Sequence, residues 1–131
     1  MELEAEEKLG VLVVCGDRRF WRVQQEAFEK ETGLTPQQYW VHCLAGGAPK
    51  AFEANDLVLE EHAVHSGAII MGWGAHGTRC GGYPGLDDET LKQKLDEAVK
   101  KAKEKFPQAI HYRIWSEGEI PNQKTEIRGV K

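Results

Sequence analysis

Two thiols and one imidazole carry the strongest chemical signal in this chain. Cys15 closes the apolar run Val11-Leu-Val-Val-Cys15, and polar Gly16-Asp17-Arg18-Arg19 follows at once. His76 and Cys80 fall together as His76-Gly77-Thr78-Arg79-Cys80, inside a glycine-rich stretch. Thiolate and imidazole are the ligands zinc favours, and a catalytic site takes three protein ligands and leaves a fourth position for water. The odd set of cysteines, Cys15, Cys43 and Cys80, speaks for a metal or catalysis over a disulfide framework. The His-x-x-x-Cys spacing suits two ligands on one turn but is a weak signal alone. The same residues also read as a small core thiol and a solvated loop imidazole. Asp17 and Arg19 likewise read as a turn aspartate and a surface ion pair.

The elements around these residues follow from periodicity. Val11 to Cys15 is the continuous apolar run of a strand buried on both faces. A helix fits Phe20 to Lys30, with Phe20, Val23, Ala27 and Phe28 on one face and Gly33 as its stop. Tyr39 to Leu44 reads as a strand running into Ala45-Gly46-Gly47, and Asp56 to Ser66 as a second helix. Ala68 to Met71 is a third strand, followed by a glycine-rich loop from Gly72 to Gly85. Asp87 and Asp88 open the clearest helix, with Leu91, Leu95, Val99, Ala102 and Phe106 in helical register, acids early, lysines late and Pro107 beyond. Ala109 to Trp115 is a fourth strand. Residues 1–10 are expected to be a flexible acidic terminus, and 116–131 a tail, an arm or an extra edge strand.

Strands alternating with helices predict one three-layer α/β domain with a mostly parallel four-stranded sheet, order 2-1-3-4. Ligands of such sheets bind beyond the carboxyl ends of the strands. Cys15 with Asp17 and Arg19, the Gly46-Gly47 turn, and His76 with Cys80 all fall there. First and third strands as neighbours would bring the three candidate ligands together.

Several motifs in this order resemble the β-class carbonic anhydrase superfamily, closest to its short minimal members. Cys15-Gly-Asp17-Arg-Arg19 matches its Cys-x-Asp-x-Arg motif, and His76-Gly-Thr-Arg-Cys80-Gly81-Gly82-Tyr83 is similar to its His-x-x-Cys-Gly-Gly loop. Ala45-Gly46-Gly47 looks like its Ala-Gly-Gly turn, Val58-Leu-Glu-Glu-His-Ala-Val64 like its Ser-Leu-Glu-Tyr-Ala-Val helix, and Phe20 and Lys50 fit the outline. The resemblance spans residues 11 to 115. It implies a zinc ion on Cys15, His76 and Cys80, and reversible hydration of carbon dioxide to bicarbonate by hydroxide generated at the metal. It further implies Asp17 as acceptor for the zinc-bound water or as a fourth ligand, Arg19 as its clamp, and a homodimer. Gly46, Gly47, Trp73, Gly81 and Tyr83 are expected to line the pocket. The chain departs from the family in one extra residue between His76 and Cys80. Trp73-Gly74-Ala75 is also expected to push His76 away from its strand.

Composition narrows the alternatives. The net charge is −4 with both signs interspersed, and no basic stripe for nucleic acid is present. The longest apolar runs are far short of the ~20 residues that span a bilayer. The acidic start is unlike a secretory signal, so a cytoplasmic protein is expected. Gly72-Trp-Gly74-Ala-His-Gly77 spells Gly-x-Gly-x-x-Gly, but a dinucleotide site needs that fingerprint to open a helix. A zinc module without activity, and a hydrolase of carbonyl sulfide or carbon disulfide, use the same ligands. His62 and His65 are expected on a solvated helix face rather than at a metal, and Cys43 as a buried thiol. His42 and His111 are expected to be scaffold residues, and the four tryptophans core or interface anchors.

Overall fold

The computed structural model describes residues 8–131. Five strands form one sheet: β1 (Leu9–Cys15), β2 (Tyr39–Leu44), β3 (Ala68–His76), β4 (Ile110–Glu117) and β5 (Lys124–Val130). Their order is β2-β1-β3-β4-β5, with the first four parallel and β5 antiparallel to β4. The four-stranded order agrees with the sequence reading, and the segment after Trp115 supplies the extra edge strand. Leu9 and Gly10 belong to β1 and not to a flexible terminus; residues 1–7 lie outside the described part.

Four helices cover the sheet: α1 (Trp21–Thr32), α2 (Gly47–Glu53), α3 (Val58–His65) and α4 (Asp88–Lys105). Strand β1 explains the layering, because its side chains alternate between two faces. Val11, Val13 and Cys15 join the cluster formed with α2, α3 and α4, whereas Leu12 and Val14 join Phe28 of α1. Leu91, Leu95 and Val99 form the buried stripe of α4, and each such side chain stabilises by about 1.5–3 kcal/mol on burial. No helix among the described residues is long and apolar enough to cross a membrane.

Two local expectations are corrected. Helix α2 begins inside the Gly-Gly turn that reads as loop, because Gly46 and Gly47 adopt φ of 96° and 65° and turn the chain straight into it. Strand β3 does not end at Met71 but runs through His76, so Trp73-Gly74-Ala75 carries His76 along the sheet instead of pushing it away. Gly72 and Gly74 are therefore strand residues, lying where Phe28 and Gln24 of α1 press against the sheet. Helix α4 starts only at Asp88, so the Gly-x-Gly-x-x-Gly stretch opens no helix and lacks a phosphate-binding geometry.

The buried imidazole of His111 is fixed as the neutral form. Its Nδ1 accepts from Trp73 Nε1 at 3.0 Å, and its Nε2 donates to the Phe106 carbonyl at 2.9 Å. Burial holds its pKa below the ordinary value. The unfolded chain takes up a proton near pH 6.5 that the folded chain refuses, so stability is present above that pH and is lost below it. The loss from this group is at most about 1.4 kcal/mol per pH unit. Urea unfolding of wild type and His111→Gln over descending pH should show wild type losing ground relative to the variant; parallel curves contradict this role.

Candidate metal centre

The carboxyl ends of β1 and β3 bring the ligands together. Gly10 to Val13 pair in register with Ile70 to Trp73, so Cys15 emerges beside the end of the strand that carries His76. The chain then turns through Gly77, Thr78 and Arg79 to present Cys80. The Cys15, His76 and Cys80 ligand atoms all lie within 4.8 Å of one another, and all three residues are buried. The two sulfurs are 4.0 Å apart. A disulfide needs about 2.0 Å. Two thiolates about 2.3 Å from a tetrahedral zinc sit about 3.8 Å apart.

His76 is oriented as a ligand. Its Nδ1 lies 2.7 Å from the Gly77 carbonyl oxygen, which can only accept, so Nδ1 carries the hydrogen and Nε2 the lone pair. That Nε2 is buried and has no hydrogen-bond partner. A buried acceptor without a partner costs about 1–3 kcal/mol. A cation between Nε2 and the two sulfurs removes that cost, and the donor set fits zinc. Phe20, just before α1, stacks on the imidazole with ring centroids 4.6 Å apart.

The thiols are poised unequally. Cys15 is held well below the ordinary thiol range by the Cys80 thiol hydrogen-bonded to it, against the opposing effect of burial, with help from His76 and the Gly46 N–H. The Cys80 thiol is pushed up by the same contact and by burial. Of the two sulfurs, Cys15 is the one whose surroundings favour the thiolate. Burial opposes charge on His76, but the nearby Cys15 sulfur and the Gly77 carbonyl raise its pKa overall.

Asp17 stands beside this triad. Its Oδ2 is 3.6 Å from His76 Nε2, outside the mutually close set of three. Arg19 grips both of its oxygens: Nε and the backbone N–H donate to Oδ1 at 3.0 and 2.9 Å, and Nη2 donates to Oδ2 at 2.7 Å. That grip is the chief reason the Asp17 pKa falls to about 2. Arg19 Nη2 also donates to the Arg79 carbonyl at 3.0 Å, which ties the Cys15 loop to the ligand loop. A cleft of 280 Å³ opens here, lined by Cys15, Gly16, Asp17, Ala45, Gly81 and Gly82.

Other expected residues lie elsewhere. Trp73 is buried among Phe52, Phe106 and His111 and does not line the cleft. Tyr83 lies under Gly46, donates from its hydroxyl to Glu53 at 2.7 Å, and has Lys50 Nζ 4.4 Å above its ring. It braces the turn, as does Gly47, where a Cβ would overlap the Gly74 carbonyl. Cys43 is exposed rather than buried, because its side chain leaves an edge strand. His62 and His65 are exposed on α3. His42 pairs at 2.6 Å with Glu60, a carboxylate with no exposed surface.

The sequence reading missed four supports: Phe20 against His76, Gln24, Asp88 and the β4–β5 turn. Gln24 replaces Val23 and Ala27 on the buried stripe of α1; its Nε2 donates to the Ala75 carbonyl at 2.8 Å and to Ser116 Oγ at 3.1 Å. From the β4–β5 turn, the Gly118 N–H donates to Thr78 Oγ1 at 2.8 Å and Gln123 Nε2 to the Arg19 carbonyl at 3.1 Å. A polar residue at helical spacing from Phe20 and Phe28 is the one signal that points to Gln24; the others are tertiary contacts.

The hydrogen bond between the two sulfurs needs a proton in the metal-free chain, and zinc loading must displace it. Calorimetric titration in two buffers of different ionisation enthalpy should report at least about one proton released per zinc at neutral pH; proton-neutral binding contradicts the assignment. Cys80→Ser should leave the fold intact and lose zinc, read by elemental analysis and circular dichroism. A comparison with protein-family models and with curated proteins finds no match, so the site rests on its own geometry.

Proposed function

We propose that this protein is a zinc-dependent enzyme that hydrates carbon dioxide to bicarbonate reversibly. The observation that carries the proposal is the buried, unpartnered Nε2 of His76 facing two sulfurs 4.0 Å apart, with the clamped Asp17 carboxylate at 3.6 Å. Cys15, His76 and Cys80 would hold the metal, whose Lewis acidity makes water a nucleophile near neutral pH.

The remaining chemistry belongs to the chain. Asp17 Oδ2 accepts the hydrogen of an incoming water or hydroxide and so aims its lone pair into the cleft. With a pKa of about 2, Asp17 stays ionised throughout the physiological range, so it orients and does not store the proton. The product proton therefore leaves through solvent at the open mouth of the cleft. Arg19 keeps the carboxylate from swinging onto the metal, because its planar fork holds both oxygens at once. The cleft wall is glycine backbone, one alanine and the Cys15–Asp17 turn, dimensions that suit a small linear substrate. Carbonyl sulfide and carbon disulfide meet the same description. The alternative of a zinc ion that only fastens the loops draws on one observation, the absence of Trp73 and Tyr83 from the cleft wall.

Elemental analysis should find about one zinc per chain, and stopped-flow indicator assays should detect carbon dioxide hydration. Asp17→Ala should keep the zinc and lose at least about tenfold in hydration rate. Arg19→Lys should also slow hydration, because an ammonium cannot make the planar fork. Folded protein that cannot be loaded with zinc would sink the proposal, and zinc-loaded protein inert toward all three substrates would leave the fastening role.

A further inference from the structure

The peptide group joining Gly77 to Thr78 is hydrogen-bonded at both ends. Its carbonyl accepts from His76 Nδ1 at 2.7 Å, and its N–H donates to Asp88 Oδ1 at 2.8 Å. One planar amide thus stands between a candidate ligand imidazole and a carboxylate. We infer that Asp88 is a positioning residue for the metal centre, acting on His76 through this peptide group; the inference rests on Cys15, His76 and Cys80 being metal ligands.

The physical link is polarisation. A carboxylate accepting from one end of an amide draws its N–H dipole outward and enriches electron density on the carbonyl oxygen, which becomes the stronger acceptor. A stronger acceptor at Nδ1 holds the hydrogen there, keeps the lone pair on Nε2 and makes that nitrogen a better donor to a cation. Metal-bound histidines usually reach a carboxylate or a carbonyl directly. Here the carbonyl is the direct partner and the carboxylate stands behind it.

The surroundings show a fitted contact. A Cβ on Gly77 would overlap the Asp88 carboxylate, so only glycine lets the two approach. Thr78 and Arg79 sit at φ of 54° and 66°, a region that residues with side chains adopt reluctantly. Asp88 holds the Thr78 N–H, and Gly118 holds its hydroxyl. Capping α4 does not explain Asp88, because Asp87 is the cap and its side chain accepts from the Thr90 N–H at 2.8 Å. The Asp88 carboxylate is turned to the loop instead.

Zinc affinity, measured by competition with a chromophoric chelator, tests the link in wild type, Asp88→Ala, Asp88→Asn and Glu89→Gln. Asp88→Ala should bind zinc at least about tenfold more weakly. Asp88→Asn keeps an acceptor without the charge and should recover part of that loss. Glu89→Gln removes an exposed charge from the same helical turn and should match wild type. In the metal-free protein, the Thr78 amide proton resonance should move upfield in Asp88→Ala. An unshifted Thr78 amide, or zinc affinity of folded Asp88→Ala within about twofold of wild type, overturns the role. Wild type that binds no zinc strikes instead at the metal assignment, while the Thr78 resonance still reports on the contact.

Discussion

The parallel pairing of β1 with β3 is the constraint on which the rest depends. Five residues of β1, Leu9 to Val13, find partners in β3, and that register sets the ends of the two strands side by side. Cys15 and Cys80, separated by 65 positions in the chain, then meet at 4.0 Å. A slip of β1 by one residue would turn Cys15 to the opposite face of the sheet, since side chains alternate along a strand. The apolar content of both strands resists such a slip: Val11 and Val13 bury on the three-helix face, Leu12 and Val14 on the face of α1.

Charge accounts for the second level of organisation. Two buried sulfurs, one buried nitrogen lone pair and a clamped carboxylate converge on one small volume. Without a cation, the sulfurs share a proton and His76 Nε2 goes without a partner. Burying a charge is tolerated where it is paired or bound to metal. Arg19 pairs with Asp17 at 2.7 Å and lies 3.9 Å from Glu119, and it forms no hydrogen bond to either sulfur. The donor set and its spacing are those of a group that could hold a metal ion.

The third level is the frame that holds the ligand loop. Phe20, just before α1, stacks on the imidazole, and Gln24 of α1 reaches across β3 and β4. The first turn of α4 supplies Asp88, and the β4–β5 turn supplies Gly118 and Gln123. The C-terminal strand therefore belongs to the site as well as to the sheet. Residues held in sparsely populated conformations, such as Thr78 and Arg79, persist where several contacts over-determine them, and this loop has contacts from three directions.

How much of this was legible before folding depends on the range of the interaction responsible. Strands β1 and β2 and helix α4 follow from local pattern, because an apolar run and a capped stripe state their own structure. The alternation of elements implied the parallel order, and residue chemistry made Cys15, His76 and Cys80 candidate ligands without excluding a core thiol and a loop imidazole. The tertiary structure decided the rest. Strand β3 continues through two glycines because α1 packs there, a neighbour that no window around Gly72 and Gly74 contains. Helix α2 starts where Gly46 and Gly47 take positive φ, and Trp73 faces the core because β3 is extended at that point. Gln24, Asp88 and Gly118 are ordinary polar or small residues in the sequence. Their roles come from hydrogen bonds across long stretches of chain, and such bonds exist only once the sheet has brought their partners into reach.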